Sequence, residues 1–147
     1  LVAYTLQRRV ITVDDVRELV HAQVSVNIFD FVDALGQKQM RSALELLHHH
    51  LDAGEDPLYL LSMLVYQFRN LIKVKSLLEE GKSAGQIASQ AKMHPFVVGK
   101  TSAQARQFSM PAIMAIHGKL YDADVRLKQG RLDPELMLDS FVVAVCR

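Results

Sequence analysis

A chain of 147 residues, 50% hydrophobic and 22% charged, can bury the core of one domain or two small ones, which excludes bulk disorder. Seven glycines and four prolines are too few for a loop-rich all-β fold, and the single cysteine, Cys146, excludes an internal disulfide and fits a reducing compartment. The net charge of +1 is split: residues 1–56 carry five Lys/Arg against nine Asp/Glu, and residues 57–147 carry twelve against seven, which directs attention to nucleic acid or an acidic partner for the second part.

Residues 1–9 have the pattern of a helix end. Ile11 to Ala22 is the next predicted helix, with Thr12 as N-cap, Asp15 at the capping-box position and Val13, Val16, Leu19 and Val20 on its apolar face. After a break near Ser25, Asn27 caps NIFDFVDAL, whose phase turns Ile28, Phe31, Val32 and Leu35 inward and for which Gly36 is the predicted C′ stop. Gln37 to Ala53 follows, with Met40, Ala43, Leu44, Leu47 and Leu51 on one side and Gly54 at its end. AGEDP then stands between two strongly helical stretches and is the best candidate domain boundary.

Asp56 to Glu80, DPLYLLSMLVYQFRNLIKVKSLLEE, is the predicted centre of the fold. Asp56 caps it, Pro57 occupies the first helical position where an N–H is not needed, and Leu61, Leu64, Val65, Phe68, Leu71, Ile72 and Leu78 form one apolar stripe. Gln67, Arg69, Lys73 and Lys75 fall on its other sides. Gly81 ends it, and Ser83 with Gln86 makes a capping box for a short helix through Ala91. His94-Pro95 starts another, with Phe96, Val97, Ala103 and Phe108 as its expected buried side. Ser109 and Pro111 open a second long helix ending at Gly130, with Ile113, Ile116 or His117, Leu120, Tyr121 and Leu127 inward. Asp133-Pro134-Glu135 opens the last helix, which is apolar nearly all round to Val145 and is expected deep in a bundle. No stretch alternates with period two, so the fold class is all-α.

No catalytic constellation emerges. Gly99-Lys100-Thr101 resembles the end of a phosphate-binding loop, but His94 replaces the required earlier glycine, a proline follows it, and no strand precedes it. His48, His49 and His50 point about 100° apart on a helix and cannot chelate one metal together. Glu45 with His49, or His48 with Asp52, has metal-pair spacing without further ligands. Cys146 has no base beside it. No cofactor or metal is expected. Asp124 and Lys128 have the acid-first i,i+4 order of a helix-surface pair, though either could reach a neighbouring subunit. From Pro57 to Tyr121 eight Lys/Arg face two acids, but they are spread over several helices without interleaved aromatics, which disfavours sequence reading of DNA and leaves a solvated positive surface, or one facing a phosphate backbone or the acidic face of another subunit.

ITVDDVRELV, NIFDFVDAL, the Asp56 helix, HPFVVGK and DVRLKQGRLDPE, in this order and spacing, resemble the C-terminal part of the delta subunit of bacterial DNA polymerase III. The matching positions are Ile11, Thr12, Asp14, Asp15 and Val16; Asn27, Ile28, Phe29, Asp33 and Ala34; His94 and Pro95; and Asp124, Leu127, Lys128 and Gly130. The resemblance implies a clamp loader subunit, with residues 1–54 as part of an AAA+-type helical lid and 55–147 as the helical collar. It implies a non-catalytic fragment of a polymerase holoenzyme in the bacterial cytoplasm, with ATPase and delta-prime type subunits as partners through the collar. The sliding clamp would be bound by an N-terminal domain beyond this chain, consistent with a start at Leu1 rather than methionine, and DNA would be touched indirectly or non-specifically. No membrane-length apolar run or signal peptide is visible. The expected contacts with other subunits are Gln67, Arg69 and Lys73 on the central helix and Arg126 and Lys128 on the second long one. A collar from an ATPase or delta-prime type subunit, or a free-standing helical adaptor, are the alternatives.

Overall fold

The first turn of a helix leaves N–H groups without partners, and this chain supplies side chains to take them. The computed structural model describes residues 28–147, which contain helices and no strand. The predicted helix over Ile11–Ala22, the tail at 1–9 and the Asn27 cap lie outside the described residues. Helical residues 28–36 (α1) are followed by α2 (Met40–Asp52), α3 (Pro57–Glu79), α4 (Ala84–Ala91), α5 (Pro95–Ala105), α6 (Met110–Lys128) and α7 (Pro134–Cys146). Asp56 caps α3 by accepting from the Leu58 N–H at 3.0 Å, with Pro57 at the start of the helix. Ser83 and Gln86 form the reciprocal capping box on α4, and Ser109 and Asp133 cap α6 and α7. His94 is itself a cap, its Nδ1 accepting from the Phe96 N–H at 3.1 Å.

Helix ends show one departure from the sequence reading. Gly54, at φ 90°, closes α2 as expected, with its N–H and that of Glu55 returning to the carbonyls of Leu51 and His50. After α1 the left-handed residue is Lys38, at φ 55°, and not Gly36, which is still helical. Gly36 is required for space instead: a Cβ there would lie 2.8 Å from Cζ of Phe108. Phe108 in turn packs edge-on against Phe68, ring centroids 5.8 Å apart.

α3 has 23 residues and is about 35 Å long, and α4, α5, α6 and α7 all lie against it. Leu61, Leu64, Phe68 and Leu71 are fully buried, as the stripe predicted, and Leu60 and Val74 join them. α2 packs on α7, α6 on α7 and α4 on α5. Phe31 and Leu35 of α1 and Ala43 and Leu47 of α2 share one hydrophobic cluster with α3, α6 and α7. AGEDP is therefore the turn between α2 and α3, and the core continues across it. A smaller cluster of Val74, Ile87 and Val98 fills the C-terminal end of α3.

Three helix faces differ from expectation. On α5, Val98, Thr101, Gln104 and Ala105 are buried, while Phe96 is 50% exposed and Ala103 is exposed. On α6, Ile113, Ile116, Leu120, Ala123 and Leu127 are inside and Tyr121 is 58% exposed. α7 is not enclosed on all sides: Leu138, Phe141, Val142 and Val145 are buried, but Leu136 is 60% exposed. Its helix neighbours, α2, α3 and α6, cover one side of it.

Thermal unfolding checks the reading of Gly36. Gly36→Ala should lose roughly 1–3 kcal/mol through overpacking against Phe108. Gly99→Ala, in a helix interior with open space around the position, should gain roughly 0.5–1 kcal/mol. An unaffected Gly36→Ala would mean that the Phe108 ring moves aside freely.

Candidate subunit interface

A period of 3.6 residues leaves positions three and four apart on the same side of a helix. Opposite its buried face, α3 presents such a line: Tyr59, Ser62, Tyr66, Arg69, Lys73 and Ser76, every one exposed. Two tyrosines followed by two cations on a rigid helix is a composition suited to partner contact, since Tyr and Arg are the side chains enriched where protein surfaces meet. The tyrosines escaped the sequence reading, although the spacing that places them beside Arg69 was visible.

Of the five residues expected to face outward, Gln67 does not. It is 4% exposed, and its Nε2 donates to Thr101 Oγ1 at 3.3 Å and to Gln104 Oε1 at 2.9 Å. Gln104 passes the chain on, its Nε2 donating to the Phe29 carbonyl at 2.8 Å. The relay ties α3 to α5 and α5 to α1. Gln67 lies in register with Leu60, Leu64, Leu71 and Val74, so the helical phase placed it inside and only its polarity argued otherwise. Lys75 also turns inward, donating to the Ala105 carbonyl at the end of α5 at 3.0 Å. Arg69 and Lys73 are exposed one turn apart. Arg126 borders the cleft between α6 and α7. Lys128 is engaged with Asp124 at 2.9 Å, an exposed pair worth only a few tenths of a kcal/mol. Arg126 and Lys128, two residues apart on α6, face nearly opposite ways and do not make one patch.

Two histidines face carboxylates of other segments. His48 Nε2 approaches Asp139 of α7 to 2.9 Å, and the buried His50 approaches Glu55 to 3.0 Å, both without hydrogen-bond alignment at the carboxylate oxygen. No group of three or more His, Cys, Asp or Glu among the described residues could hold a metal. Burial pushes the Cys146 thiol up, against the pull of Lys38, which disfavours the reactive thiolate. Asp33 sits beside the amide relay with its Oδ1 buried and without a hydrogen-bond partner among the described residues. Burial raises its carboxyl above the ordinary value, against the pull of the Gln104 amide; Asp30 adds to the rise and Lys100 opposes it.

The family profile for the C-terminal domain of the DNA polymerase III delta subunit matches residues 25–145. The chain belongs to the DNA polymerase III delta subunit family. Over 140 residues it is 31% identical to DNA polymerase III subunit delta of Bacillus subtilis, covering 95% of this chain and 40% of that protein. A probable DNA polymerase III subunit delta of Aquifex aeolicus is 30% identical over 83 residues, 56% of this chain and 24% of that protein. The solved structure of the Bacillus subtilis DNA clamp loader delta protein superposes with a TM-score of 0.81 at 30% identity, over 98% of this chain and 42% of that one. The chain thus spans well under half the length of these delta relatives. Of the positions that carry the delta resemblance, Asp33 and Ala34 fall on α1 beside the relay, and His94-Pro95 is the start of α5.

Melting separates relay from stripe. Gln67→Ala strands Gln104 Oε1 and should cost roughly 1–3 kcal/mol, whereas Arg69→Ala should stay within about 0.5 kcal/mol. Equal effects would contradict the assignment of Gln67 to the interior. Asp33 gives a pH test. Its folded-state pKa is raised, so its contribution is fully present below the unfolded carboxylate value of about 3.9 and is lost as pH rises through the folded value. Asp33→Asn should therefore melt higher than the parent at neutral pH, with the gap closing on acidification. Identical midpoints at pH 7 would show that the carboxylate is well solvated.

Proposed function

We propose that this chain is the collar part of a clamp loader delta subunit, a non-catalytic helical unit that holds loader subunits together while the sliding clamp is set on primed DNA. The observation that carries this reading is the superposition, over nearly the whole chain, on a protein described as a DNA clamp loader delta protein. The family match to a delta C-terminal domain supports it. The proposed partners are loader subunits of the ATPase and delta-prime types. Contact with the sliding clamp falls to the part of delta outside these residues, and DNA is approached indirectly or through non-specific charge. The setting is the bacterial cytoplasm.

The division into a lid portion, 1–54, and a collar, 55–147, belongs to the same proposal. Because helices on both sides of residue 54 share a core, the described lid portion would travel with the collar. The proposed contacts are the α3 line around Arg69 and Lys73, with Arg126 and Lys128 of α6 as further ones. Arginine heads the list because its planar fork binds a carboxylate through two hydrogen bonds.

Mixing the protein with purified ATPase and delta-prime subunits and following co-elution tests this. The parent chain should enter the complex. Arg69→Ala should weaken assembly by roughly 1–2 kcal/mol, as for a side chain central to an interface. Failure of the parent to co-elute would refute the loader role, and full assembly by Arg69→Ala with Lys73→Ala would remove the α3 line from the interface.

A further inference from the structure

Two clefts open along α6, one of about 470 Å³ against α7 and the end of α1 and one of about 290 Å³ against α7. Lys119 and Ala144 line both, so the two clefts form one trough along the α6–α7 seam. From Ser109 at one end to Arg126 at the other it follows α6 for about 25 Å. Four cations border it, Lys38, Lys119, Arg126 and Arg147, against one acid, Asp122. None of these five is in an ion pair with another described residue. The Arg126 end is mostly apolar, with Ala123, Phe141 and Ala144, whereas at the Ser109 end Ala112, Ala115 and Ile116 share the lining about equally with polar groups.

We infer that this trough docks an amphipathic helix of a partner protein, whose apolar side chains enter between the alanines and whose acidic residues meet Lys119, Arg126 and the cations of the Ser109 end. The alanines leave width for aliphatic side chains, which a phosphate backbone would not use. The occupant is helical because an extended segment would bring backbone N–H and C=O groups onto the apolar Arg126 half of the trough, which offers them no sheet edge. Charge fixes the sign of the partner, since four cations with one acid favour carboxylates and disfavour a basic helix. The inference does not rest on the loader reading, and no loader subunit enters its test.

The probe is a synthetic helical peptide of roughly 17 residues, matched to the trough length, with leucines at i, i+3, i+4 and i+7 and glutamates flanking them. A twin carries lysine for glutamate, and a short DNA duplex is the third ligand. Binding to the full 147-residue chain is read by fluorescence anisotropy and by amide shift mapping. The glutamate peptide should bind at least about tenfold tighter than its twin, with shifts centred on Ala112, Ala115, Ile116 and Ala144. Lys119→Glu should weaken it about tenfold, and Ala144→Trp, which fills the floor without changing charge, should do the same. Both positions are exposed, so melting should be retained; Lys92→Glu, exposed and off the trough, should bind as the parent does. Equal binding of the twins, or shifts located elsewhere, overturns the inference. Tighter binding of the duplex, lost in Lys119→Glu, overturns it in favour of a phosphate ligand.

Discussion

A 23-residue helix with a continuous apolar face is unstable alone in water, and the fold can be understood as the covering of that face. α6 and α5 lie along α3, α7 adds to them, and α4 closes its far end with a small cluster of its own around Ile87. The turns between the helices are short and closed by caps, several worth about 1 kcal/mol each, so little entropy is spent on connections. Because the covering helices take one side of α3, the opposite line from Tyr59 to Ser76 is left outward on the most firmly held element in the molecule. Burial thus selects the surface that is rigid enough to serve as a contact face.

Hydrophobic packing sets that a face is buried more strongly than it sets register, since it is not directional. Here the Gln67–Gln104–Phe29 relay supplies direction. Sliding α5 by one residue along α3 would leave two buried amides without partners, each a loss of roughly 1–3 kcal/mol, against a modest change in apolar contact. Gly36 acts similarly by sterics, since only a residue without Cβ admits the Phe108 ring that rests on Phe68. Helix α1 is therefore fixed twice, by an amide to its backbone and by a ring against its last turn.

Most of the fold was legible because capping chemistry and helical period are local. Asp56, Ser83, Ser109 and Asp133 start helices where expected, and the leucines of α3 are buried where expected. What failed was polarity used as a proxy for exposure. Gln67, Thr101 and Gln104 are inside because they satisfy one another, a fact that depends on residues 34 to 37 apart in sequence. Phe96 and Tyr121 are outside because the neighbouring helices end their cover elsewhere, which no single helix can announce. Of the candidate contacts, the exposure of Arg69 and Lys73 could be read from phase, but the tyrosines that continue their line were passed over.

The uneven charge of the sequence has a counterpart in the fold. Among the described residues after α2, several acids are engaged by the fold, with Asp56 and Asp133 capping helices, Asp124 holding Lys128 and Asp139 facing His48, while Glu79, Glu80, Asp122 and Glu135 stay exposed. The cations are mostly not spent, and Arg69, Lys73, Lys119 and Arg126 stand on the α3 line and along the α6–α7 trough. With a net charge of only +1 and screening over about 8 Å at physiological salt, they cannot steer a partner from afar. At the proposed contacts their effect would begin only on touching, where a partner carboxylate either meets a cation or is left desolvated beside apolar side chains. On the two proposed surfaces, discrimination would then turn on where a partner's acids fall along a helix, which a rigid strut and a seam between two long helices can register.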